Sequence, residues 1–128
     1  MVDAIATATS GLQAASQRVA QSAQNVANVN NRAPLPAEGE AYQGYEPGRI
    51  TTSSQEPGGV RAQSEPVRPA YRPTPALGDP GAEAEARPNV NLAEEAVTQM
   101  TASHAYEANA RVIETANEMT GTLLNTLG

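Results

Sequence analysis

The chain contains no cysteine, no lysine, no tryptophan and no phenylalanine. Without cysteine the fold relies on neither disulfides nor thiolate metal sites, and it tolerates any redox compartment. Without lysine, all eight basic residues are arginine, set against 14 acidic residues for a net charge of -6, and they are scattered along the sequence. Phosphate-backbone binding needs a concentrated basic surface, so nucleic acid is not an expected partner. Four tyrosines are the only aromatics, and alanine supplies much of the apolar content. A buried alanine contributes far less than the ~1.5–3 kcal/mol of a buried leucine or isoleucine, so a lone monomer of this composition is marginal.

Long hydrophobic runs are missing as well. The opening MVDAIATATS has neither the basic n-region nor the apolar run of a cleavable signal peptide. No stretch approaches the ~20 apolar residues of a membrane-spanning helix. Taken alone, these absences read as a cytoplasmic protein.

Proline is abundant but confined. All ten prolines lie between Pro34 and Pro88, together with seven of the ten glycines, which divides the chain into segments 1–30, 31–90 and 91–128. In the first, Ile5, Leu12, Val19 and Val26 recur every seven residues, with Ala8, Ala15, Ser22 and Val29 three positions after each. That spacing predicts a helix with an a/d seam; Asp3 suits its N-cap, and Asn30 and Asn31 its end. The middle segment has the composition of loops and edge strands. EAYQGYEPGRITTS and VRAQSEPVR, separated by the EPGG turn, can pair as a hairpin. YRPTPALGDPGAEAEARP reads as an extended connector or as disorder. The third segment opens on Asn91 with Glu94 three residues on, a capping-box-like start, and runs to Gly128 without proline.

Plotted at 100° per residue, that last helix carries two apolar stripes. Ala105, Val112, Ala116, Met119 and Leu123 form one; Tyr106, Ala110, Ile113, Leu124 and Leu127 form the other; Glu107, Arg111, Glu114 and Glu118 take the opposite side. The first stripe can pack on the Ile5/Leu12/Val19/Val26 seam, leaving the second without a partner in the chain. Ala-rich faces let helices approach closely, so neighbouring molecules can supply the missing core.

Catalytic residue types are scarce. His104 is the only histidine, and Asp3 and Asp79 the only aspartates. A nucleophile paired with His104 would have to be Ser103 or a distant serine, and adjacent helical side chains diverge. EPGG and GDPG are turns without the Gly-Lys-Ser/Thr ending of a phosphate loop. Glu94, Glu95 and Asn91 read as helix-start residues, not metal ligands. No enzyme activity, metal or cofactor is expected.

Two terminal motifs are more specific. SGLQAASQRVAQSAQNVANVNN, with Ser10, Gly11 and Leu12 opening it and Asn25, Ala27, Asn28 and Asn30 near its close, resembles the N-terminal signature of the bacterial flagellar axial proteins, the family of rod, hook and hook-associated subunits. NVNLAEEAVTQMTASHAYEANARVIETANEM, with Asn89, Glu95, Tyr106 and Asn109, resembles their C-terminal signature. The short middle segment is similar to that of the proximal-rod basal-body proteins.

The resemblance implies a mainly α fold, with long N- and C-terminal helices paired as a coiled coil around a short Pro/Gly-rich loop or small β-hairpin region. It also implies a structural subunit of the basal-body rod that self-assembles helically into the torque-transmitting axial tube. Its partners would be copies of itself, other rod and axial proteins and the flagellar type III export apparatus, with no direct membrane insertion. Its place would be the rod in the periplasm, reached without a cleaved signal peptide, which replaces the cytoplasmic reading. Within that frame Ile5, Leu12, Val19, Val26, Val112 and Met119 are expected to form the intrachain seam, and Tyr106, Ala110, Ile113, Leu124 and Leu127 to meet other subunits. The alternative is a small adaptor that docks on rod or export-gate components without polymerising.

Overall fold

The computed structural model describes residues 2–75 and 83–127. Both proline-free ends are helical: α1 is Val2–Asn28 and α2 is Leu92–Leu127. Asp3 and Glu94 place acidic charge in the first turn of each, where the helix dipole favours it. The Asn91 carboxamide oxygen accepts the Ala93 N–H at 3.1 Å and so caps α2. The Glu95 carboxylate reaches across to α1, where it accepts from Asn25 Nδ2.

The two helices run antiparallel. Asn25 and Ser22 of α1 bond to Glu95 of α2, and Gly11 lies against Asn109. Between them the buried residues are small: Ala8, Ala15 and Ser22 on α1, Ala102 and Ala116 on α2. The larger members of the seven-residue row sit differently. Ile5 and Leu12 are half-buried, whereas Val19 and Val26 are exposed. At 100° per residue they flank the line of contact, because helices that meet through alanine, glycine and serine approach too closely to hold a β-branched or leucine side chain between them.

Among the described residues five strands fill the middle: β1 Ala33–Pro34, β2 Gly48–Ser54, β3 Val60–Pro66, β4 Tyr71–Thr74 and β5 Glu85–Pro88. β2 and β3 form an antiparallel hairpin in the register Gly48↔Pro66 through Ser54↔Val60. It lies along a second face of α1. Asn25 and Gln21 hold its open end, Arg18 Nη2 donates to Thr52 Oγ1 at 3.0 Å, and Ser10 Oγ accepts the Val60 N–H at 3.0 Å near its tip. The other strands make a three-stranded antiparallel sheet in the order β1-β5-β4. One of its faces is packed, with Ala86 and Pro88 buried and the Tyr71 ring 4.7 Å from that of Tyr42.

The expected mainly α fold is therefore corrected. Two antiparallel sheets stand between the helices, and the architecture of the described residues is two helices plus two sheets. A coiled coil is not what joins the ends either, since knobs-into-holes packing needs larger apolar side chains along the seam than this small-residue contact provides. Proline did not prevent strands, because each strand proline occupies a tolerated place. Pro34 and Pro73 lie in the edge strands β1 and β4, and Pro66 and Pro88 are the last residues of theirs. The stretch read as connector or disorder contributes β4 and β5; the GDPG turn within it, at 78–81, lies outside the described residues.

Candidate functional site

The two terminal motifs meet at Asn25, which is 2% exposed. Its Nδ2 donates to the Gly48 carbonyl at 2.8 Å and to Glu95 Oε1 at 2.7 Å. Its Oδ1 accepts from Tyr45 Oη at 2.9 Å and from Gly48 N and Gln21 Nε2, both at 3.3 Å. A carboxamide can pair with one backbone unit as a neighbouring strand would, and Asn25 does so with both polar groups of Gly48 while keeping hydrogen-bonding capacity for α2. Around it Ser22 Oγ donates to the Glu95 carbonyl at 3.2 Å and accepts from Gln99 Nε2 at 3.1 Å. One polar cluster thus fastens α1, the open end of the hairpin and the first turns of α2. Satisfied networks of this kind fix a unique arrangement where an apolar core is too small to do so.

Other motif residues act likewise. Ser10 Oγ donates to the Thr7 carbonyl at 2.7 Å while receiving Val60 N–H. Asn30 Oδ1 accepts from Arg87 Nη2 at 2.6 Å. Asn89 donates from Nδ2 to the Pro69 carbonyl at 2.8 Å and accepts from Arg72 Nε. Asn28 Nδ2 donates to the Gln24 carbonyl at 2.8 Å, securing the last turn of α1. Leu12 is half-buried and Ala27 exposed. Gly59, at φ +101°, closes the hairpin against Ser10, and a Cβ there would lie 2.5 Å from Ser10 Oγ. Gly59→Ala is accordingly expected to cost about 1–2 kcal/mol from its left-handed backbone alone. Thermal unfolding should register this as a fall of roughly 5 °C, and an unchanged midpoint would mean the tip is not held.

An open cleft of about 760 Å³ lies beside this cluster, lined in part by Arg18, Gln21, Ile50, Glu95, Val97 and Thr98. It contains no histidine, and its Glu95 carboxylate is engaged by Asn25. Burial, and then the Glu95 charge, push the Tyr45 hydroxyl above its ordinary pKa of 10.0. It is therefore a hydrogen-bond donor at neutral pH and no base. Having its proton held more tightly in the fold, Tyr45 favours the folded state below pH 10 and withdraws that contribution as pH rises further. His104 is exposed on α2. Among the described residues no group of three histidine or acidic side chains is placed to hold a metal ion.

The outer surface of α2 is the other feature. Val112 and Met119, expected in the seam, are exposed, as is Tyr106; Ala110 and Ile113 are half-buried on the side facing α1. Leu124 is 68% and Leu127 85% exposed. Sequence reasoning did not single out Tyr45, Gln21, Gly48 or Gln99 for the cluster. A Gly at the start of a strand pattern was the available hint of close approach. Among the described residues no helix is long and apolar enough to cross a membrane.

No curated protein matches the chain. A family model does: residues 83–126, which carry β5 and nearly all of α2, match the family described as flagellar basal body rod FlgEFG protein C-terminal. The match covers about a third of the sequence and includes Asn89, Glu95, Tyr106 and Asn109. Through this C-terminal region the chain is similar to the flagellar basal-body rod proteins.

Proposed function

We propose that the chain is a subunit that polymerises helically into the torque-transmitting axial tube of the rod, after leaving the cell interior through the flagellar type III export apparatus. One observation carries the reading. Among the described residues every buried apolar side chain apart from proline is an alanine, while Val19, Val97, Met100, Val112, Leu124 and Leu127 are all exposed. A chain that leaves its large apolar groups partly outside gains a share of the ~1.5–3 kcal/mol of full burial for each one a neighbour covers. In this reading 1–30 and 91–128 form the inner tube, 31–90 its outer part, and the exposed Tyr106, Leu124 and Leu127 meet other subunits. Copies and other rod proteins are the partners.

Quantitative mass spectrometry of purified basal bodies tests it: a small fixed multiple of a known ring protein is expected, and absence from the particle overturns the reading. The interface has its own test. Leu124→Asp with Leu127→Asp alters two side chains that contact little within the chain, so secretion and folding should persist while incorporation into rods falls about tenfold or more. Incorporation at the normal level would remove these residues from the interface.

A further inference from the structure

The face of the β1-β5-β4 sheet opposite Ala86 and Pro88 carries two arginines in a chain whose net charge is -6, Arg72 exposed and Arg87 half-buried with its Nε enclosed. The register sets Arg72 of β4 directly opposite Arg87 of β5, so both side chains leave the same face from Cβ atoms about 5 Å apart. Nearby Arg32 is paired with Glu85 at 2.5 Å. Arg72 and Arg87 have no carboxylate among the described residues; their acceptors are the neutral amide oxygens of Asn89 and Asn30. Neither guanidinium charge is offset by a carboxylate among the described residues, so each can still take an anion.

The complementary surface is on α2. Glu107, Glu114 and Glu118 are exposed on the side turned away from α1 and make no ion pair among the described residues. Glu114 and Glu118 are four residues apart on a helix, which separates their Cβ atoms by ~5–6 Å and matches the spacing of an opposed strand pair. Within one copy the surfaces cannot meet. The sheet stands where α1 ends and α2 begins, whereas Glu114 and Glu118 lie 22 and 26 residues along α2, roughly 33–39 Å away along its axis.

We infer that the Arg72/Arg87 face of the sheet docks the Glu114/Glu118 row of a second copy of this chain. The inference rests on the self-assembly reading and specifies a contact within it. Guanidinium and carboxylate groups at this spacing form paired, charge-assisted hydrogen bonds. Because the joined surfaces differ, the contact is heterologous, and repeating it builds an open helix unless the rotation closes a ring.

The test is a charge swap in the full-length chain, read as the concentration at which it self-associates by sedimentation velocity, at low salt and near 0.5 M NaCl. Arg72→Glu alone and Glu114→Arg alone are each expected to raise that concentration about tenfold at low salt, and the double variant to return it to within about threefold of the parent. Added salt should weaken parental association. Arg72 also bonds Asn89, so circular dichroism must accompany its variant. Should Arg72→Glu unfold, Glu114→Arg on the exposed face decides the matter alone. If the parent associates and Glu114→Arg does so at the same concentration, this contact is wrong while self-assembly stands. A parent monomeric at every concentration overturns both.

Discussion

Replacing Asn25 by alanine is expected to lower the thermal midpoint by roughly 12 °C, one of the two largest effects anticipated for a single substitution. The side chain is buried and takes part in five hydrogen bonds, to Gly48 twice, Glu95, Tyr45 and Gln21. Its removal leaves at least the Gly48 carbonyl and N–H without their partner in a site that water reaches poorly. An unsatisfied buried polar group costs about 1–3 kcal/mol, and two or more give about 3 kcal/mol even after partial relaxation. Asn25→Asp separates donor from acceptor. It retains an acceptor for Tyr45 and the Gly48 N–H, loses the Nδ2 donor, and places a second carboxylate against Glu95. Repulsion between the two raises carboxylate pKa in the folded state. The folded state then binds more protons than the unfolded one, so stability should recover as pH falls and drop as pH returns to neutral. An Asn25→Ala midpoint within a degree or two of the parent would show that the cluster contributes little.

The same cluster shows how much of the molecule was legible in the sequence. Helical ends were readable because seven-residue spacing and the confinement of proline act within a few turns of chain. The residue types of the motifs were also readable, since Asn25 and Glu95 stand out as polar residues recurring in a known pattern. What no local pattern conveys is that these two, 70 residues apart, hydrogen-bond each other. Nor does it convey that Asn25 serves as a surrogate strand for Gly48. The sheets were obscured for a different reason. Proline lowers strand propensity on average, but its cost vanishes at an edge or a strand end, and edge position is a property of the assembled sheet. Seam geometry failed to transfer for a third reason. A heptad states which residues share a face, and the size of the residues on that face then decides whether large side chains meet across the interface or are displaced to its shoulders. Ala8, Ala15 and Ser22 on α1 displaced Val19 and Val26.

That close approach sets the second large effect. A Cβ built on Gly11 would lie 2.7 Å from the Asn109 carboxamide and 2.8 Å from its Cγ. Asn109 has little freedom to withdraw, because its Nδ2 donates to the Ala105 carbonyl at 2.8 Å. Gly11→Leu must therefore separate α1 from α2 near their centre, and overpacking of this kind costs about 1–3 kcal/mol. A midpoint roughly 10 °C lower is expected at the upper end of that range. Separating steric conflict from any other role of glycine requires a second background. In a helix interior glycine is less favourable than alanine by about 0.5–1 kcal/mol, so absent a clash Gly11→Ala should stabilise. It is expected to destabilise the parent and to stabilise an Asn109→Ala variant, whose shortened side chain vacates the contested volume. The reversal of sign across one double-mutant cycle measures the contact between the two motifs directly. If Gly11→Ala stabilises both backgrounds alike, the helices tolerate a Cβ at their crossing, and the small-residue contact is looser than the 2.7 Å distance requires.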